Sequence, residues 1–187
     1  SAELSQNGKY AAIASLDAED GESKVTISVL ETKKGSLKSS TTVTDVMPYR
    51  IAFLSGDRIA LVCSESLSVY DLGGNRKNTF VYPDKLSHMS YSNGGIALLF
   101  DESEASASEL LVIFDDNGDL KLTLKIDGNV SDVKMNKDHI YLLCDDKIIK
   151  VDSTFGHTST IAFAEEGASL TLLSGGELLA CTPSLAY

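Results

Sequence analysis

Ser66-Leu67-Ser68-Val69-Tyr70-Asp71-Leu72-Gly73-Gly74 decides how the rest of this sequence is read. Apolar and polar residues alternate from Ser66 to Val69, the two-residue period of a strand with one buried face. An acid follows the apolar pair Val69-Tyr70, and a short turn closes on glycine, whose missing Cβ opens conformations that other residues avoid. The same order returns at Val29-Leu30-Glu31 to Gly35 and at Ile113-Phe114-Asp115 to Gly118. It returns once more at Lys150-Val151-Asp152 to Gly156, with a single apolar residue before the acid. The closing glycines recur at intervals of about 40 residues, the spacing of a repeated supersecondary unit.

A second mark stands about half a unit earlier each time: Asn7-Gly8, Ser55-Gly56-Asp57, Asn93-Gly94-Gly95, Asn136-Lys137-Asp138 and Ser174-Gly175-Gly176. Each is a tight-turn signal followed at once by an apolar strand. No segment keeps helical spacing for the ten or so residues a helix needs, so the class is all-β. Each unit reads as an inner strand, a tight turn, an apolar second strand, a third strand ending in the acid and a more polar fourth strand. In the second unit these are Tyr49 to Leu54, Arg58 to Cys63, Ser66 to Asp71 and Arg76 to Tyr82. The unit boundaries are about 1–45, 46–84, 85–128, 129–165 and an incomplete 166–187, together one domain over 1–187.

The second strands, such as Ile96 to Phe100 and Ile140 to Cys144, are continuous apolar runs expected to be buried on both faces. The fourth strands alternate: Leu120, Leu122, Leu124 and Ile126 should meet a neighbour, while Lys121 and Lys125 face water and discourage edge-to-edge pairing. Polar extensions at Asp17 to Ser23 and Asp101 to Glu109 join second to third strands.

At the apolar-acid-turn-glycine mark the chain resembles the β-propeller repeat families, WD40-like, quinoprotein-like and uncharacterised bacterial propeller domains. The resemblance spans nearly the whole chain and implies a propeller-like array of four-stranded antiparallel blades, about four and a half of them. The similarity is closest to the propeller domains of Gram-positive anaerobes, and it implies a protein held outside the cytoplasm at the cell surface. There is no Trp and no sialidase box, so the resemblance brings no active site with it.

Sixteen basic residues against 27 acidic ones give a formal charge of −11, which repels phosphate backbones and anionic membrane surfaces. Nucleic acid and direct membrane binding by this segment are therefore not expected. No apolar run approaches the roughly 20 residues that span a bilayer as a helix. Cys63, Cys144 and Cys181 each sit in an apolar run at spacings that fit no zinc pattern, and are read as small buried hydrophobes.

His88, His139 and His157 are too far apart in sequence for a metal pair, so no metal ligand is assigned. Asp115-Asp116-Asn117-Gly118-Asp119 is dense in oxygen, but its spacing lacks the alternation of a calcium loop and Asn-Gly marks a hairpin turn. Glu31, Asp71, Asp115 and Asp152 stand at turn mouths, where a carboxylate caps backbone N–H groups. No phosphate loop or nucleophile elbow is present, and no catalytic residue or cofactor is assigned.

Tyr49, Tyr91 and Tyr141 are the candidate ligand-facing residues, because Tyr suits surfaces with one apolar and one wet end; Tyr91 and Tyr141 equally suit packing between blades. The expected function is a non-catalytic binding or interaction scaffold that recognises a protein or cell-envelope ligand through blade loops. The alternative is a propeller-type hydrolase acting through clustered acidic residues. The half unit at 166–187 leads to a third expectation, a homodimer closed through open blade edges.

Overall fold

A computed structural model describes the chain except residues 20–21, 93, 102–107, 164–167, 174–175 and 183–187, and the side chains of 19 and 22. The turn signals at Asn93 and Ser174-Gly175, the tip of the Asp17–Ser23 extension and most of the Asp101–Glu109 extension lie outside the described residues.

Every regular element among the described residues is a strand. The first sheet holds β1 (Ala2–Leu4), β2 (Tyr10–Glu19), β3 (Glu22–Glu31) and β4 (Ser36–Thr44); the second holds β5 (Pro48–Phe53), β6 (Arg58–Cys63), β7 (Ser66–Asp71) and β8 (Arg76–Val81). The third holds β9 (Leu86–Ser92), β10 (Gly95–Asp101), β11 (Ser108–Phe114) and β12 (Leu120–Asp127); the fourth holds β13 (Val130–Met135), β14 (His139–Cys144), β15 (Lys147–Asp152) and β16 (Thr158–Ala162). A last sheet pairs β17 (Ser169–Leu172) with β18 (Leu178–Cys181). Each of the four larger sheets is an antiparallel meander in chain order, so the array contains four full blades and half of a fifth. The chain gathers into two compact units, one of Ser1–Lys85 with Asp115–Asp119, the other of Leu86–Phe114 with Leu120–Tyr187.

In the first unit, Ala12, Val25 and Ile27 of the first sheet pack on Ile51, Ile59 and Leu61 of the second. From Ile59 to Cys63 the β6 strand is buried on both faces, as its unbroken apolar run predicts. At about 1.5–3 kcal/mol for each large apolar side chain buried, this inter-sheet layer dominates the unit's stability.

The repeated glycine has two physical causes. Gly35, Gly74, Gly118 and Gly156 all have positive φ, between 61° and 85°, a region that costs a residue with a Cβ. At three of them a side chain from the preceding repeat also crowds the site: Thr41 at Gly74, Val69 at Gly118 and Leu122 at Gly156. Hydrogen bonds seal the same seams, with Thr41 Oγ1 donating to the Gly74 carbonyl at 2.9 Å and Asn78 Nδ2 to the Gly118 carbonyl at 3.0 Å.

The second unit is built the same way. Leu99, Leu111 and Ile113 of the third sheet meet Val133, Ile140 and Leu142 of the fourth. Tyr141, Leu143 and Ile148 of the fourth pack on Leu170 and Ala180 of the fifth. Along β12 the expected alternation appears, with Ile126 buried and Leu122 and Leu124 half-buried, while Leu120 at the strand's start stays exposed. The β16 strand departs from that pattern, since all five of its residues are exposed. The two-stranded fifth sheet packs on side chains of β14 and β15, leaving β16 uncovered.

Candidate functional site

The expected turn acids are occupied within their own turns, with one variation. Asp71 Oδ1 accepts the Gly73 and Asn75 amides at 2.8 and 3.0 Å, and Asp115 Oδ1 accepts those of Asn117 and Asp119 at 2.9 Å each. Asp152 Oδ1 accepts the Thr154 and Phe155 amides, both at 2.8 Å. Glu31, one methylene longer, instead pairs with Lys34 Nζ at 3.1 Å. Lys77 and these amides hold the Asp71 carboxyl well below the usual carboxylate range, the Lys77 bond at 2.7 Å being the largest cause.

One end of the first unit carries a cleft of about 420 Å³ where the β4–β5 connection meets the β6–β7 turn. Backbone hydrogen bonds fix its walls. The Asp45 amide donates to the Ser23 carbonyl at 3.1 Å, Ser64 to Met47 at 2.9 Å and Tyr82 to Glu65 at 2.9 Å. Ser23 Oγ adds a bond to the Val46 carbonyl at 3.2 Å. Asp45 has φ of 60°, the only positive value for a non-glycine among the described residues, and Asp is one of the few side chains that accept it.

Two large apolar side chains are exposed on this cleft. Met47 is 49% and Val81 72% exposed, and Tyr49, two residues along from Met47, is 57% exposed. Beneath them Cys63 is buried, and burial pushes its thiol up to about 11. Burial likewise raises the Tyr82 phenol far above its usual value, with Cys63 and Tyr49 nearby adding to the shift. Among the described residues the acids on the lining are Asp45 and Glu65, and no Lys or Arg lines it.

The other two candidate tyrosines stand elsewhere. Tyr91 is half-buried on β9 opposite Ile96, and Tyr141 is 8% exposed within the cluster of Leu143, Ile148 and Leu170. The Tyr141 ring also lies 6.0 Å from Lys150 Nζ.

A juxtaposition invisible to sequence spacing occurs at the rim of the fourth sheet. His139 is the direct cross-strand partner of Asp152, and the Asp152 amide donates to the His157 carbonyl at 2.9 Å. The register therefore sets His139, Asp152 and His157 side by side. Both imidazoles, after the Phe155 and Thr154 amides, hold the Asp152 carboxyl below its ordinary value. His157 is stacked on exposed Phe155, with ring centres 5.9 Å apart. Among the described residues no group of three His, Cys, Asp or Glu side chains is arranged to hold a metal ion.

A family model described as "Family of unknown function (DUF5711)" matches residues 1–161. The chain belongs to this family. Membership in DUF5711 supplies no activity, and no curated protein matches the chain. Solved structures match along almost all of it. BamB from Moraxella catarrhalis aligns with a TM-score of 0.58 at 13% identity, covering 95% of this chain and 59% of that one. The Pan2 WD40 domain of Neurospora crassa aligns at 0.66 and 10% identity, covering 98% and 59%. Sqt1 of Saccharomyces cerevisiae aligns at 0.62 and 14%, covering 97% and 56%. The chain thus spans less than two thirds of each of these propellers, and at such identities the likeness shows the β-propeller fold alone.

Proposed function

We propose that this DUF5711 chain is a non-catalytic scaffold that binds a protein partner at the cleft of Asp45, Met47, Glu65 and Val81, with Tyr49 at its margin. The observation that carries the reading is the exposure of Met47 and Val81 on one cleft whose backbone walls are hydrogen-bonded in place, with exposed Tyr49 two residues from Met47. Large apolar side chains clustered at a surface and bordered by polar ones are the composition of an interaction patch. A preset backbone also lowers the ordering cost of binding. BamB, Pan2 and Sqt1 share the fold, and a propeller presents its turns at the rims of rigid blades, where binding residues are readily placed.

The test is a double variant, Met47→Glu with Val81→Glu, which puts charge on the patch without touching the core. Wild-type protein is expected to co-purify with a partner from the cells that make it, and the variant to lose that partner while keeping the same thermal transition. Retention of the same partner by a folded variant overturns the proposal.

A further inference from the structure

We infer that the partner presents a segment in which an apolar side chain is flanked by Lys or Arg. This rests on the binding reading above and names the chemistry of its occupant. Asp45 and Glu65 are both exposed on the cleft lining, and neither side chain makes an ion pair or hydrogen bond among the described residues. Three acids outside the cleft are paired, Asp57 with Arg58 at 2.9 Å, Asp71 with Lys77 at 2.7 Å and Asp132 with Lys134 at 2.6 Å, whereas the two on the cleft lie beside exposed apolar side chains with no cation on the described lining.

The cleft therefore joins exposed apolar area to two uncompensated carboxylates. An acidic or neutral apolar segment would leave both without a counterion, and an acidic one would be repelled. A second copy of this chain is a poor occupant for the same reason, since each copy carries a formal charge of −11. In a water-accessible cleft the two acids act chiefly on encounter rate and selectivity, while the apolar contact with Met47 and Val81 sets the residence time.

Three heptapeptides with one Leu-Tyr-Leu centre, flanked by Lys, by Gln or by Glu, are titrated into the full chain and followed by amide chemical shifts. The Lys-flanked peptide is expected to shift Asp45, Ser64, Glu65 and Val81, with a Kd about five- to tenfold below that of the Gln-flanked peptide. That advantage is expected to shrink in high salt. Asp45→Asn with Glu65→Gln should abolish the difference, whereas Asp116→Asn with Asp127→Asn, equal in charge but outside the cleft, should keep it. Equal binding of the Lys and Gln peptides at the cleft, lost with Met47→Glu, overturns this inference and leaves the binding reading standing. Shifts elsewhere, no binding by any peptide, or an advantage lost equally in the control variant also overturn it. Self-association seen on size exclusion and abolished by Val81→Glu would assign the cleft to a second copy instead.

Discussion

The amide of Val130 donates to Glu109 Oε1 at 2.6 Å, so a carboxylate on the third sheet accepts the first amide of the fourth. Glu109 is 7% exposed and also accepts from Ser87 Oγ at 2.9 Å, so its burial is compensated by two donors. Glu109→Ala removes both acceptors and should cost about 1–3 kcal/mol, read as a lower urea midpoint. Glu109→Gln should cost less. Its oxygen can keep the Val130 amide, while Ser87, which also donates to the Leu99 carbonyl at 3.0 Å, can accept from the new amide. An alanine variant as stable as wild type would contradict this account of the seam.

Gly118 tests the second cause of the repeated glycine. A Cβ there would stand 2.5 Å from Val69 Cγ2 at φ of 85°, whereas at Gly35, with φ of 61°, it would meet nothing within 4 Å. Gly35→Ala should cost about 1 kcal/mol from backbone strain, and Gly118→Ala about 1–3 kcal/mol more from overpacking. Adding Val69→Ala should recover part of the Gly118→Ala loss, which a double-mutant cycle on thermal unfolding would read. Equal losses at the two glycines would show that crowding is unimportant.

Asp71 sets an acid limit. Its carboxyl lies below the ordinary range when folded, chiefly through Lys77, so its contribution is present above the unfolded pKa of about 3.9 and is lost as pH falls through the folded value. Lys77 is 45% exposed, so screening keeps the effect near about 1 kcal/mol. Asp71→Asn should be less stable than wild type by about that amount at pH 6, with the gap closing towards pH 2. A gap that does not narrow at all between pH 6 and pH 2 would remove the charge from the explanation.

Thiol reactivity should rank the cysteines by burial. Cys63 and Cys144 are buried, and burial raises both thiols, whereas Cys181 is half-buried on the short fifth sheet. Iodoacetamide on the native chain at pH 8 should therefore modify Cys181 first, as peptide mass mapping would show. Early modification of Cys63 would mean that the layer beneath Met47 and Val81 opens readily.

Local chemistry made the blade readable. Ser66 to Gly74 carries its period, its capping acid and its left-handed glycine within nine residues, and the strand limits of the second sheet follow from such signals almost residue for residue. The cleft was only partly readable. Tyr49 stood out with Tyr91 and Tyr141 as a candidate ligand-facing residue, but the approach of Val81 to Met47 depends on hydrogen bonds from Ser64 and Tyr82 that close the turn, and Asp45 carries no mark of its positive φ. His139 and His157 looked unrelated because their meeting at Asp152 is a product of strand register, which sequence spacing does not record. Glu109 resembled one more charge in a polar extension until Val130 and Ser87 were placed around it.

The central claim, that the cleft of Met47 and Val81 is where a protein binds, is tested most directly by a photoreactive phenylalanine analogue at position 81 of the full chain. The control is the same group at position 161, where Ile161 is also a large exposed hydrophobic at 55%. Irradiation in the cells that make the protein should give one discrete protein adduct from position 81, absent from position 161 and lost when Met47→Glu is added. No adduct from position 81, or the same adducts from both positions, would contradict the claim.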